Sequence, residues 1–201
     1  QSERGEIPAV VPNKPALMAD SGPAWSDAAV IVPWTLYQAY GDSRVLAELI
    51  TQSKPGDLFV VKNVGNIVPP ASATGSTNST AAAIEFAVES LRVQDIVVCG
   101  HSQCGAMETL ISGLPVDNSL PHLREWLALA APVRQVLQTE YHHLKSHAER
   151  TTAAAEENVL FALENLRTYP VVQARLADGS LRLHGWFFKI ASAELFAFDP
   201  A

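Results

Sequence analysis

His101 and Cys104 stand three residues apart in Gly100-His101-Ser102-Gln103-Cys104-Gly105. An imidazole nitrogen and a thiolate sulfur together suit Zn²⁺. Glycine on both sides lets backbone approach a ligand closely, and a helix beginning after Cys104 would suit an anionic sulfur. Two donors do not complete a metal site, so the remaining ligands must come from elsewhere in the chain. A second constellation is Asp42-Ser43-Arg44. Read for structure alone, it is a capping aspartate and a solvated arginine. Read for chemistry, it is a carboxylate that a guanidinium holds in one orientation. His142, His143 and His147 have spacing that could chelate a metal, but they read better as a solvated helix face. His122 reads as a loop residue and His184 as a strand residue. Trp25, Trp34, Trp126 and Trp186 read as core or interface anchors.

Positioning these groups requires strands that end beside one another. Ile96-Val97-Val98 is a buried-looking run that leads into the histidine. Leu58-Phe59-Val60-Val61 reads as a strand buried on both faces. Residues 28–40 are apolar and aromatic, and Pro33 divides them, so a strand is expected from about Trp34 to Ala39. Asp42-Ser43-Arg44 opens a short helix through Ile50. Ala81–Leu91 has Ile84, Ala87, Val88 and Leu91 at helical spacing, with Thr80 as candidate N-cap. Helices are also expected over Ala106–Ser112, Leu120 to about Arg150, and Thr152–Leu166. LRLHGWFFKI and ELFAFDP alternate as a strand or a hairpin. Strands alternating with helices predict an α/β fold, with a mainly parallel sheet core flanked by helices. In such sheets chemistry collects beyond the carboxyl ends of the strands. Three segments are placed there: Tyr40–Arg44, Asn63–Asn66 and Gly100–Gly105.

The totals narrow the function classes. The chain has 201 residues, which suits one domain or one domain with an appendage. Its net charge is −7 with scattered basic residues, which argues against nucleic acid and anionic membranes as partners. No apolar run approaches the length of a membrane span. QSERGEIPAVV lacks a basic region followed by an apolar one, so it is not read as a secretory signal. Cys99 and Cys104 are the only cysteines. Their position suggests ligand or core roles in a reducing, cytoplasmic compartment rather than a disulfide. Pro8, Pro12, Pro15 and Pro23 break any helix or central strand, so the first 24 residues read as an extended arm or a disordered lead.

DSRVLAELITQSKPGDLFVVKNVGNIVPP, IVVCGHSQCGAM and ENLRTYPVVQARLADGSLRLHGWFFKI occur in this order. Together they resemble the β-class carbonic anhydrases of bacteria and cyanobacteria. The resemblance runs from about Asp42 to Pro200, so residues 42–201 are expected to form a β-carbonic-anhydrase-like body. It implies reversible hydration of carbon dioxide to bicarbonate at Zn²⁺, and a homodimer or higher homo-oligomer. In that family the pattern is C-x-D-S-R followed by H-x-x-C. The zinc is held by the two cysteines and the histidine, with water or the aspartate as fourth ligand. Carried over, Asp42 and Arg44 are the catalytic pair, and His101 and Cys104 are metal ligands. Asn63 and Gly105 would frame the substrate.

The first cysteine of the pattern falls at position 40, which is Tyr40. A phenol with a pKa of about 10 is a poor zinc ligand near neutral pH. Asp42 could turn inward as a substitute ligand, at the cost of its pairing with Arg44, and weak metal binding with low or absent turnover is expected. The alternative is a catalytically inactive binding or assembly protein on the same fold. Cys99 is expected to point away from the site by strand alternation.

Gly5–Asp42, especially GPAWSDAAVIVPWTLYQAYGD, resembles a piece of the bacterial α-L-rhamnosidases. Residues 1–41 are therefore read as an atypical N-terminal arm and first strand from a second family, joined near Asp42. Glycoside hydrolysis usually needs two carboxylates across the bond. Asp27 and Asp42 are the candidates in this piece, but the barrel that would position them is missing, so sugar hydrolysis is set aside.

Overall fold

The computed structural model describes residues 28–31 (backbone only), 58–73, 77–113 and 119–198. Five strands form one sheet in the order β2-β1-β3-β4-β5. They are β1 (Ala28–Ile31), β2 (Phe59–Val61), β3 (Asp95–His101), β4 (Arg182–Lys189) and β5 (Glu194–Ala197). Among the described residues six α-helices accompany them: α1 (Ser79–Glu85), α2 (Gly105–Ser112), α3 (Pro121–Ala128), α4 (Ala131–Thr139), α5 (His147–Leu166) and α6 (Pro170–Ala177).

The α/β organisation is as expected. The sheet itself is mixed, and β3–β4 is the parallel pair among the described strands. β1 runs antiparallel to both β2 and β3, so β2, β3 and β4 share one direction. Their carboxyl ends therefore lie at the same edge of the sheet. β4 and β5 form the expected hairpin. The strand expected at Trp34–Ala39 and the helix expected at Asp42–Ile50 lie outside the described residues.

One face of the sheet packs on α5. Ile96 and Val98 share a core cluster with Val159, Ala162, Leu163 and Leu166 of that helix. Gly100 and Gly185 take the same face. A Cβ on Gly100 would sit 2.7 Å from Val159 Cγ2 and 3.2 Å from the Ala155 carbonyl oxygen. Glycine there is a matter of space: the helix lies too close for a methyl group. Small buried residues Ala153, Ala154 and Ala155 permit the same approach from the helix side. α5 starts with a capping box. Ser146 Oγ accepts from the Glu149 N–H, and Glu149 accepts from the Ser146 N–H.

Several expected boundaries moved. The helix expected from Leu120 to about Arg150 is α3, then α4, then an irregular link over 140–146. Pro132 explains the first break, since proline removes a backbone donor and is tolerated only in a first turn. His142 and His143 consequently lie in the link, and only His147 opens a helix. His122 is in the first turn of α3 rather than in a loop. The Ala81–Leu91 helix becomes α1 followed by a π-helical turn over Phe86–Ser90, which leaves Leu91 exposed. Asn78, not Thr80, caps α1, accepting at 3.0 Å from the Ala81 N–H. β2 is a sheet-edge strand with Val60 exposed, not a strand buried on both faces.

Candidate metal centre

His101 is the last residue of β3, with 1% of its surface exposed. Its Nδ1 lies 2.8 Å from the Ser102 carbonyl oxygen. A carbonyl only accepts, so in the neutral ring Nδ1 carries the proton and Nε2 keeps the lone pair that a metal needs. A bond of this kind also fixes the orientation of a ligating imidazole.

Ser102 anchors the loop. Its N–H donates to the Phe188 carbonyl at 2.9 Å, and its hydroxyl accepts from the Ile190 N–H at 3.0 Å. The turn between the two donors is thus pinned to the end of β4. Gln103 then takes a left-handed conformation, φ 59°, and reverses the chain into α2. Cys104 is the N-cap residue of α2, 3% exposed, and its carbonyl accepts from the Glu108 N–H at 2.9 Å. Gly105 opens that helix, and no described atom lies within 4 Å of where its Cβ would be.

The loop after β2 meets this region. A Cβ on Gly65 would stand 2.9 Å from Ala106 Cβ and 3.2 Å from Met107 Cε, so the loop lies against the first turn of α2. Two of the three expected segments therefore do come together at one sheet end. The third, which holds Tyr40, Asp42 and Arg44, lies outside the described residues, as does Asp27. Among the described residues, no three His, Cys, Asp or Glu side chains converge as a metal-binding group. Cys99 was expected to point away from the site, and strand alternation does not support that expectation. It stands two residues before His101 in β3, and a strand alternates with period two, so both belong to the same face. The donor types at His101 and Cys104 fit Zn²⁺, and further ligands must come from beyond the described residues.

Residues 65–69 are buried. A buried loop leaves backbone carbonyls that need donors. Trp126 Nε1 donates to the Val64 carbonyl at 2.6 Å. Asn158 Nδ2 donates to those of Gly65 and Asn66 at 2.8 and 3.4 Å. Asn63 Nδ2 donates to Ile67 at 3.0 Å, Asn165 Nδ2 to Val68 at 2.7 Å, and the Tyr169 hydroxyl to Pro69 at 2.8 Å. Every carbonyl from 64 to 69 thus receives a side-chain donor. Asn63 also accepts from the Ile67 N–H at 3.0 Å and donates to Thr80 Oγ1 at 3.2 Å. Its amide is committed to shaping the loop. Asn158 and Asn165 lie seven residues apart on α5, two turns and therefore one face. Polar residues at that spacing within an apolar stripe were a signal available in the sequence.

Asn66 is the exception in this loop. It is 3% exposed, has φ 51°, and neither its Nδ2 nor its Oδ1 has a hydrogen-bond partner among the described residues. Burying an unpaired amide costs about 1–3 kcal/mol.

At the amino end of β3 lies a cluster that sequence reasoning did not single out. Asp95 is fully buried and accepts two bonds from Arg182, at 2.9 and 3.0 Å. His184 Nε2 lies 2.8 Å from Asp95 Oδ1.

Two sequence profiles match the chain. The one described as carbonic anhydrase matches residues 39–195. The one described as bacterial alpha-L-rhamnosidase 6 hairpin glycosidase domain matches residues 1–54. The two overlap over 39–54, the stretch that holds the expected junction. A carbonic anhydrase of Synechocystis sp. is 41% identical over 167 residues, covering 83% of this chain and 60% of its own length. One of Pseudomonas aeruginosa is 44% identical over 169 residues, covering 84% of this chain and 74% of its own. The chain thus spans only about three fifths of the first of these relatives. Among solved structures, the β-carbonic anhydrase CcaA superposes with a TM-score of 0.71 at 42% identity, over 79% of this chain and 75% of that one. A tetrameric β-carbonic anhydrase of Sordaria macrospora gives 0.66 at 32%, over 78% and 76%.

Proposed function

This chain belongs to the β-class carbonic anhydrase family, and from that premise we propose that it catalyses reversible hydration of carbon dioxide to bicarbonate with Zn²⁺, in an impaired form. The observation that carries the reading is the pairing, at one sheet end, of a buried imidazole oriented by the Ser102 carbonyl with a buried cysteine at a helix start. His101 and Cys104 would hold the metal, with Asp42 as a third protein ligand. Zn²⁺ bound there supplies Lewis acidity that brings the pKa of water to about 7. In reaching the metal Asp42 would give up its pairing with Arg44, and the Gly105 backbone would border the substrate. Tyr40 stands where a thiolate is expected, so metal affinity and turnover fall together.

The fold relative from Sordaria macrospora is described as tetrameric. Assembly of this body with further copies of itself follows as part of the proposal, as does a cytoplasmic home for its two thiols. Residues 1–41 are read as a segment of the second family, carrying no glycosidase activity of their own. The competing reading, an inactive binding or assembly protein, draws its support from Tyr40 alone.

Elemental zinc analysis with stopped-flow carbon dioxide hydration separates these readings. Substoichiometric zinc and slow hydration are expected, with both rising in Tyr40→Cys. Full turnover in the wild-type chain would contradict the impairment. A Tyr40→Cys chain that neither binds zinc nor hydrates carbon dioxide would remove the enzymatic reading.

A further inference from the structure

We propose that the Ser102 hydroxyl is a positioning group that sets the tautomer of His101. It takes the place of its own carbonyl in the β3–β4 ladder, and so frees that carbonyl to hold the imidazole with its proton on Nδ1 and its lone pair on Nε2. The carbonic anhydrase reading enters only in naming Zn²⁺ as the metal that such a ring would serve. The rest follows from the ladder.

β3 and β4 pair in parallel as far as His101 and Phe188. In a parallel ladder, a residue that donates to one carbonyl of the neighbouring strand accepts from the N–H two residues further along it. Ser102 makes the first of these bonds: its N–H donates to the Phe188 carbonyl at 2.9 Å. The regular second bond would run from the Ile190 N–H to the Ser102 carbonyl. In the structure the Ile190 N–H donates to Ser102 Oγ at 3.0 Å. The Ser102 carbonyl turns to the preceding ring and lies 2.8 Å from His101 Nδ1. Gln103, at φ 59°, then carries the chain away from the sheet toward Cys104.

A serine at a strand end is ordinarily a local cap that satisfies a nearby backbone group. Here the bond reaches Ile190, 88 residues along the chain, and residue 102 already carries the backbone acceptor that the ladder would use. With alanine at 102 the Ile190 N–H would draw that carbonyl back into the ladder, because a donor left unpaired costs free energy. The ring would lose the acceptor that keeps its proton on Nδ1. The Nε2–H form would gain, and that form has no lone pair on Nε2 to offer a metal. Partners that orient a ligating histidine act on metal affinity in this way. A carbonyl has two lone pairs, however, and one that served both donors would make the hydroxyl dispensable. Experiment can separate the two cases.

The test uses the intact chain with ¹⁵N-labelled histidines and chelator present, at about pH 8, where an ordinary imidazole is neutral. Long-range ¹H–¹⁵N correlation reads which ring nitrogen carries the proton. His101→Gln identifies the His101 signals among those of six histidines. The wild type is expected in the Nδ1–H form. Ser102→Ala should move His101 toward the Nε2–H form and, in a competition titration without excess chelator, bind Zn²⁺ about tenfold more weakly. Ser102→Thr keeps the hydroxyl and should restore both readouts. Three results would overturn the proposal: an Nε2–H wild type, a Ser102→Ala chain with unchanged tautomer, or a folded Ser102→Thr chain that behaves as Ser102→Ala does. A lower urea midpoint in Ser102→Ala with the tautomer unchanged would assign the hydroxyl to the fold alone. The wild-type spectrum keeps the proposal exposed to refutation if Ser102→Ala does not fold. Zinc content and hydration rates on the same samples keep the two proposals separate. A Ser102-dependent tautomer in a chain that neither binds zinc nor hydrates carbon dioxide would refute the enzymatic reading alone. Hydration with a Ser102-independent tautomer would refute this one alone.

Discussion

The two ends of β3 handle buried polarity in opposite ways. At the amino end, Asp95 is fully buried, and it meets a two-point guanidinium from Arg182 and the ring of His184, all within neighbouring strands. At the carboxyl end, His101, Cys104 and Asn66 are buried too, but among the described residues no three His, Cys, Asp or Glu side chains converge there and the Asn66 amide has no hydrogen-bond partner. The first cluster is closed: every charge is answered by the fold, so it serves to hold β3 against β4. The second presents an imidazole and a thiol with no third metal-ligating side chain among the described residues. A satisfied network rigidifies, whereas a buried polar group without a partner in the fold calls for a water, an ion, stored strain or a catalytic role.

Variants at either end should therefore separate stability from ligand binding. The largest effect is expected from Asp95→Ala, which strands Arg182 and His184. Arg182 is 40% exposed and can return to water, so the cost is that of the lost charge-assisted hydrogen bonds, about 1.5–3 kcal/mol, read as a lower urea midpoint, with zinc affinity in the folded fraction unchanged. Loss of zinc binding without loss of stability would undo the contrast. Next is Cys104→Ser, which should lower zinc affinity by more than about 100-fold while shifting the urea midpoint little. Equal damage to folding and to metal binding would show that the carboxyl end is structural too.

The smallest effect tests the loop beside the centre. Burial pushes the Tyr169 phenol from 10.0 up to about 12, and the Glu85 carboxylate adds to the shift. The folded chain therefore holds that proton more tightly than the unfolded one. The resulting stability is complete below pH 10 and is lost as pH rises toward 12. Tyr141, pushed up to about 12 by its hydrogen bond to Glu157 and by burial, contributes in the same window. Tyr169→Phe removes the bond to Pro69. It should cost about 1 kcal/mol near neutral pH and make the alkaline decline shallower. An unchanged alkaline profile in chemical denaturation would argue against this origin of the pH dependence.

Much of the body was legible because its signals are local. The β3 run, the glycine-flanked His101 and Cys104, the start of α2 and the terminal hairpin each follow from neighbouring residues. Helix boundaries were less legible where one residue overrides a periodic pattern, as Pro132 does in dividing α3 from α4. β2 was misread because an apolar run does not reveal whether its strand lies at the centre or at an edge. Asn63 was expected to face substrate, yet both ends of its amide serve its own loop.

The sequence by itself determined which donors exist, how far apart they stand along the chain, and that a strand end and a helix start hold His101 and Cys104. Those properties depend on covalent spacing and short-range propensity. Only the tertiary structure decided that Asn158, Asn165 and Tyr169 would feed the carbonyls of a loop 92 to 100 residues away. Among the described residues it also left the Asn66 amide without a hydrogen-bond partner. Such pairings arise when packing of α5 on the sheet removes water from the loop, and no local rule encodes which distant donor then arrives.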